Sequence, residues 1–462
     1  MNTYTKSDFI ETPWCYMPPE MHFDTPDELK QAFWAFSLSR YQDILDNMEM
    51  ETYFLPPPNK FEKVKDNKGN YILLPTTIDN SFLYRGQTEF FEECLPTLYR
   101  KKDISDEEIF IERIRCCEFE VYLKQYPQIE IFEKNKYNID YLGLSQHYGL
   151  KTNVIDLTNS LDVALFFAMC NMSEDGKAFS PQREDKEYIG YIYAVRTKEY
   201  NNRTNKIKNF FDGRVKAIGM QPFYRPGNQR GFGMHLERGE AMTGLLYSFS
   251  YTKLDSENIY NTFKNGDILW HEDNISRVAR EIKSTKTFSF KALNLAFKRY
   301  YKNPCKKQIA MKERLVQMGY TFQKRSLWQF DNNKLQFLKS EELAKKGLEG
   351  LVDVIHRKMM DNEGHTKHCI DTQYLSHEDM VRFPISGCKA PEGYDSPYKF
   401  SESKDNIVWG YSQRIINQEN QTIPNPITHK VDKWVGDWRT LKIDYNREQR
   451  LNMKTVIVPR KR

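Results

Sequence analysis

The spacing of apolar and polar residues predicts a chain in which helices and strands alternate. Residues 26–50 begin with Pro and acidic residues, which favour a helix start, and the prolines at 56–58 then form a stiff extended connector. A second helix is predicted over 105–126, because Ser105 and Glu108 have the spacing of a capping box. These signals fix the starts of two helices before any composition is considered.

Short β-prone segments lie between the helical ones. Strands are predicted at 81–86 (SFLYRG) and 153–156 (NVID), and the near-continuous β-prone run at 188–197 is typical of an interior strand. Residues 161–170 (LDVALFFAMC) are apolar on every side, so we expect a buried helix there.

The remaining helical patterns complete the predicted fold. Residues 276–300 have helical character with an interruption near 286–290, and 306–318 form another helix that ends at Gly319. The alternation does not repeat a regular βαβ unit. We therefore predict an α+β fold, with helices packed on a small mixed sheet.

The same patterns divide the chain into three parts. Residues 1–60 form an N-terminal helical extension, and residues 61–345 form the main domain. From about 345 the pattern weakens and Pro, Asn, Gln and Ser become frequent, so we expect an irregular C-terminal extension or small module over 346–462.

Composition and charge exclude some classes of function. The 462 residues carry a net charge of +5, which does not indicate a nucleic-acid binder. No apolar run of about 18 residues exists, so no membrane span is expected. Eight scattered cysteines without a CxxC pair fit the reduced thiols of a cytoplasmic protein. The spacing His365-x-x-His368-Cys369 offers too few ligands for zinc, so no metal site is expected.

Polar residues embedded in apolar, Gly-punctuated segments mark a candidate site. Arg85 follows an apolar strand, where a guanidinium needs an anionic partner from the protein or from a ligand. His147 precedes Gly149 at a helix end, and Asp156 is expected at or past the end of its strand. Strand ends next to helix starts are common ligand positions in folds of this kind.

Each of these residues also has a structural interpretation. Asp156 could pair with Arg85 as an internal ion pair, and His147 could be a hydrogen-bonded core histidine. Gln229 could satisfy loop carbonyls, and Asn159 or Ser160 could be a helix N-cap.

The chain resembles the FRG-domain family, which is named for its [FY]RG motif. The order and spacing of six segments carry this resemblance over about residues 75–300, namely YRGQ at 84–87, LPTLYR at 95–100, QHYGL at 146–150, DLT at 156–158, ALFFA at 164–168, and Arg225, Gln229 and Gly231 in an R-x3-Q-x-G arrangement. Asn153, Leu157 and Pro226 depart from the family pattern. The family is functionally uncharacterised, and its occurrence in bacteria and phages suggests a role in phage or toxin-related defence.

A more remote likeness connects the chain with ADP-ribosyltransferases. The likeness implies that Arg85 binds a pyrophosphate and that Gln229 takes the place of the family's glutamate. It also implies that the hydroxyl of Thr158 or Ser160 orients the ribose or the catalytic side chain. Glutamine lacks the carboxylate that stabilises the developing charge. Normal transfer chemistry would therefore need Glu237 or Glu240 to serve instead, and the choice among Gln229, Glu237 and Glu240 stays open.

The sequence thus predicts a pocket for a phosphate-bearing small molecule, with NAD as a candidate substrate and no resident cofactor. The expected catalytic residues are His147, Asp156 and Gln229. The expected ligand-binding residues are Arg85, Gly86, Gln87, Thr158, Ser160 and Arg225. Two alternatives stay open: a hydrolase or phosphodiesterase-like site built on His147 and Asp156, and a non-enzymatic ligand-sensing or interaction module.

Overall fold

The structure is a computed structural model. It describes residues 20–33, 52–54, 60–65, 69–75, 82–196, 214–301 and 306–340, together with short strands between 352 and 459.

The described strands carry the labels β1 to β21 in chain order. They are β1 Glu20–Phe23, β2 Thr52–Phe54, β3 Lys60–Lys65, β4 Tyr71–Pro75, β5 Phe82–Gln87, β6 Val154–Thr158, β7 Asn171–Met172, β8 Phe179–Ser180, β9 Tyr188–Arg196, β10 Val215–Ala217, β11 Gly231–His235, β12 Leu245–Tyr251, β13 Thr287–Ser289, β14 Thr321–Gln323, β15 Val352–Met360, β16 Thr366–Ser376, β17 Gly410–Ser412, β18 Gln421–Pro424, β19 Val431–Trp434, β20 Leu441–Asp444 and β21 Val456–Pro459.

The described helices are labelled in the same way. They are α1 at 26–33, α2 Asp106–Leu123, α3 Pro127–Lys134, α4 Tyr141–His147, α5 Leu161–Met169, α6 Tyr224–Asn228, α7 Lys253–Thr262, α8 Asp267–Trp270, α9 Asn274–Ser284, α10 Phe290–Tyr300, α11 Lys306–Gln317 and α12 Asn332–Ser340, with one 3-10 turn at Thr97–Tyr99. In this part of the chain no helix is both long and apolar enough to span a membrane.

A mixed seven-stranded sheet forms the centre of the fold, in the order β1-β12-β9-β5-β6-β11-β10. The β1–β12 pair is parallel and the other neighbours are antiparallel. With helices packed against this sheet, the predicted α+β class is confirmed. The predicted interior strand at 188–197 is also confirmed, since β9 pairs with β12 on one side and β5 on the other.

Both faces of this sheet carry apolar side chains. Since successive side chains of a strand point to opposite faces, one strand contributes to the apolar cluster on each side. Phe82 and Tyr84 of β5 belong to the cluster that contains α5, whereas Leu83 belongs to the cluster of Ile155 and Phe232. The predicted buried helix is α5, whose middle residues are almost inaccessible to solvent.

Helix α2 begins where its capping box predicts. The Ser105 hydroxyl accepts a hydrogen bond from the Glu108 amide at 3.1 Å, and the Glu108 carboxylate accepts from the Ser105 amide at 2.9 Å. Two apolar clusters use opposite sides of α2, one through Phe119 and the other through Ile114. The predicted interruption at 286–290 is also present, because β13 separates α9 from α10.

Two further predictions concern the ends of the chain. Only the first part of the predicted helix at 26–50 is described, as α1, and residues 34–50 lie outside the described residues. A four-stranded sheet in the order β15-β16-β3-β4 pairs residues near 60–75 with residues of the C-terminal third. The three-part domain division stays a prediction.

Candidate functional site

Arg85 is half-buried in β5 and its guanidinium points toward β6. Its Nη1 donates a hydrogen bond to the backbone carbonyl of Asp156 at 3.2 Å. With the Gln87 amide turned so that its oxygen faces the guanidinium, that oxygen accepts from Nε and Nη2 of Arg85 at 3.3 Å each. Among the described residues no carboxylate lies within ion-pair distance of Arg85. The internal ion pair with Asp156 is therefore not formed.

Asp156 is the central residue of β6 rather than a residue at or past its end, which corrects the sequence-based expectation. The strand continues because Leu157 and Thr158 are buried and lie opposite Phe232 and Gly231 of β11. A short strand can extend past a polar residue when the residues before and after it pair with a neighbouring strand.

The carboxylate of Asp156 is held from one side only. Its Oδ2 accepts a hydrogen bond from Nε2 of Gln146 at 3.0 Å, and the Gln146 oxygen accepts from the Thr152 hydroxyl at 2.6 Å. Its Oδ1 is buried without a hydrogen-bond partner and lies 3.9 Å from Nε2 of His147. That separation exceeds a hydrogen bond.

His147 is 2% exposed at the end of α4, and its Nδ1 lies 2.7 Å from the Gln229 oxygen. The Gln229 amide nitrogen donates to the Leu269 carbonyl at 2.8 Å, which fixes the amide orientation. Because the Gln229 oxygen can only accept, Nδ1 of neutral His147 must carry the proton. The lone pair of Nε2 is then left facing Asp156, also without a hydrogen-bond partner.

Gly231 makes room for the imidazole ring. A Cβ atom at this position would lie 2.7 Å from His147 Nε2 and 2.9 Å from its Cε1. Any larger residue would displace the ring from Asp156. The pairing of β11 with β6 thus brings the R-x3-Q-x-G segment against the end of α4.

Two residues that we did not assign to the site belong to it. Gln146 orients Asp156, as described above, and Arg100 lies close enough for its charge to interact with Arg85 and Asp156. Burial lowers the pKa of Arg100, and the neighbouring Arg85 charge lowers it further. Gln146 and Arg100 lie inside the motif segments at 146–150 and 95–100, so their membership of the site could have been predicted from those motifs.

Protein groups surround most of the Arg225 side chain, although its buried Nε has no hydrogen-bond partner among the described residues. It is 1% exposed, and its Nη2 donates to the His271 carbonyl and to the Ser276 hydroxyl at 2.7 Å each. Its guanidinium lies between the Tyr148 and Trp270 rings, 4.8 and 4.2 Å from their centroids. The expected ligand contact of Arg225 gains no support from this position.

Three other predicted ligand-binding residues have structural contacts. Ser160 is the N-cap of α5 and accepts from the Val163 amide at 3.4 Å. Thr158 accepts from the Ser160 amide at 3.1 Å. Gly86 lies under α5, where a Cβ would come within 1.7 Å of the Ala164 carbonyl oxygen.

Glu237 and Glu240, the alternative sources of a catalytic carboxylate, lie away from His147. Glu240 accepts from the Glu237 amide at 2.8 Å in the turn after β11. Since His235 is opposite Val154, this turn lies beyond the start of β6, at the far end from Thr158. Neither glutamate joins the cluster around His147.

A cavity of about 610 Å³ borders the site. Gln146 and Arg100 line it, whereas Arg85, His147, Asp156 and Gln229 do not. No group of three or more metal-ligating side chains is found in the described part of the chain, and His365 lies outside it.

Residues 80–177 match the family model of the FRG domain. No curated protein and no solved structure gives a significant match to the chain. The chain therefore contains an FRG domain, and the matched residues include Arg85, His147 and Asp156 but end before Gln229.

Proposed function

We propose that the site around Arg85, His147 and Asp156 binds a phosphate-bearing small molecule. The observation that carries this proposal is a half-buried guanidinium beside two buried acceptor atoms, His147 Nε2 and Asp156 Oδ1, which lack hydrogen-bond partners. A guanidinium binds phosphate oxygens through two parallel hydrogen bonds. A donor such as a sugar hydroxyl would satisfy these two acceptors.

NAD meets both requirements, since it carries a pyrophosphate and ribose hydroxyls. In an NAD-cleaving or ADP-ribosyltransferase-like reaction, positive charge develops on the ribose as the bond to nicotinamide breaks. Gln229 is occupied by His147 and Leu269. Under this interpretation Asp156 would stabilise that charge in its place.

The test is to incubate the protein with NAD, to quantify free nicotinamide by chromatography, and to measure NAD binding by calorimetry. Arg85→Ala should weaken binding by about tenfold or more and abolish nicotinamide release, because a charge-assisted contact to phosphate is lost. Arg183→Ala is the matched control, since Arg183 is exposed in a loop. Equal binding by the Arg85 variant and the native protein would contradict the proposal.

A second candidate function is hydrolysis of a phosphodiester, favoured by the Nε2 atom of His147, which has no hydrogen-bond partner in the described part of the chain. This atom would take a proton from an attacking water while Arg85 holds the phosphate. His147→Ala should lower the rate by about 100-fold or more, the usual contribution of a general base, whereas His22→Ala, at an exposed position, should not.

Turnover of a panel of cyclic and linear phosphodiesters would measure this, with nicotinamide release distinguishing it from NAD cleavage. Tight binding with no turnover of either class would favour the non-enzymatic, ligand-sensing alternative. A role in bacterial or phage defence stays a prediction from the family resemblance.

A further inference from the structure

The cavity of about 610 Å³ beside the candidate site is strongly basic. It lies between the segment around the 3-10 turn, the middle of α2, the residues after α4 and the end of α9. Two glutamates face it, Glu108 and Glu112. The basic residues that line it are Arg100, Lys101, Arg115, Lys151 and Lys283.

The two glutamates neutralise only part of this charge. Glu108 pairs with Lys101 at 2.6 Å, and Glu112 pairs with Arg115 at 2.7 Å and more loosely with Lys151 at 3.8 Å. Within the described residues neither Arg100 nor Lys283 has a carboxylate within ion-pair distance. The cavity therefore keeps an excess of positive charge.

The cavity wall also contains buried charged atoms with unused hydrogen-bonding capacity. Glu112 is 7% exposed, and its second oxygen has no partner. The Arg115 side chain is 13% exposed, and its Nε has no partner either. Such groups are costly to keep desolvated, so the wall around Glu112 and Arg115 favours further polar contacts.

The cavity and the candidate site share two residues, Gln146 and Arg100. Gln146 lines the cavity and donates to the Asp156 carboxylate at 3.0 Å. Cavities of 300–1,000 Å³ hold ligands of about nucleotide size. The volume and the excess positive charge both favour one chemical class, a phosphate-bearing anion.

We propose that this cavity is a second binding site, which takes the phosphate groups of a nucleotide-sized anion. Arg100 and Lys283 bind the anion. The site does not depend on Arg85, so it can bind its anion whether or not the proposed function is correct.

The test measures binding of inorganic pyrophosphate to the full chain by calorimetry. In Lys151→Glu/Lys283→Glu we expect affinity to fall by about tenfold or more, because two exposed cations at the cavity become anions. The control is Lys177→Glu/Lys186→Glu, which makes the same change in net charge at two exposed loops on either side of β8. The control should change affinity less than about twofold, and added salt should weaken binding to the native protein.

Arg85→Ala separates this site from the candidate site, and thermal melting of each variant checks that it is folded. Retained pyrophosphate binding in Arg85→Ala, with loss in the cavity variant, supports the proposal. Loss in Arg85→Ala alone would place pyrophosphate at Arg85 and overturn it, while supporting the proposed function. Equal losses in both double variants, or no binding by the native chain, would also overturn it.

Discussion

At the scale of single residues, the two ring nitrogens of His147 have different surroundings. Nδ1 faces Gln229, whose amide is oriented by the Leu269 carbonyl, and Nε2 faces Asp156 without forming a hydrogen bond. A buried histidine whose one nitrogen is tied by a hydrogen bond has a defined tautomer. The proposed base, His147, and the residue that positions it, Gln229, are therefore distinct, so the tautomer can be tested without a substrate.

The first prediction concerns this tautomer. Nitrogen-15 NMR of histidine-labelled protein should show that the neutral form of His147 is protonated at Nδ1 and unprotonated at Nε2. Gln229→Leu removes the acceptor and should abolish the single tautomer. It should also cost about 1–3 kcal/mol of unfolding free energy, because buried polar groups lose their partners.

The exposed His22 is the internal control, and its resonances should be the same in both proteins. A native spectrum with His147 protonated at Nε2 would contradict the assignment of Gln229 as the positioning residue.

Sequence reasoning could select these residues but not their contacts. Arg85, His147 and Asp156 were predicted from charge and polarity in apolar segments, and the structure brings them together. The role of Arg225 depends on rings from Tyr148 and the distant Trp270, and such long-range packing leaves no local pattern. Asp156 was misplaced because strand length depends on the partner β11.

At the scale of elements, the YRG motif is also a packing site. Helix α5 lies so close to β5 that its Ala164 carbonyl oxygen occupies the space of a side chain at Gly86. Helix α5 contributes Val163, Leu165 and Phe166 to the same cluster as Phe82. The glycine of the motif therefore allows the helix to pack on the strand that carries Arg85.

The second prediction follows from that close approach. Gly86→Ala should destabilise the protein by about 2–4 kcal/mol, because the new methyl group meets backbone rather than a movable side chain. Gly239→Ala is the control: Gly239 has φ +88° with open space around its Cβ position, so only backbone strain of about 1 kcal/mol is expected.

Denaturant unfolding of both variants would measure the difference. If Gly86→Ala lowers the unfolding free energy no more than Gly239→Ala does, the packing argument is wrong.

Elements with strong local signals, such as the capping box of α2, could be predicted from sequence. The order of strands in the sheet could not, because it depends on pairings between distant segments such as β1 and β12.

At the scale of the whole molecule, thiols and phenols are buried in several separate clusters. Burial raises the pKa of Cys117 and of Cys170 to about 12, from an ordinary value of 9.0. Burial likewise raises the pKa of Tyr137 and of Tyr251 to about 12. These groups stay protonated in the folded protein at pH values where the unfolded chain loses their protons.

The last prediction is a loss of stability in alkali. Because the folded pKa of each thiol lies above its unfolded value, its contribution is complete below pH 9 and is lost as pH rises toward 12. Each group ionised only in the unfolded chain should lower the unfolding free energy by about 1.4 kcal/mol per pH unit. Denaturant titrations between pH 7 and 11 under reducing conditions would measure this slope. Cys170→Ala should reduce the slope of unfolding free energy against pH by the contribution of one thiol. A stability that does not change with pH would contradict the prediction and show that these thiols ionise equally in the native and unfolded states.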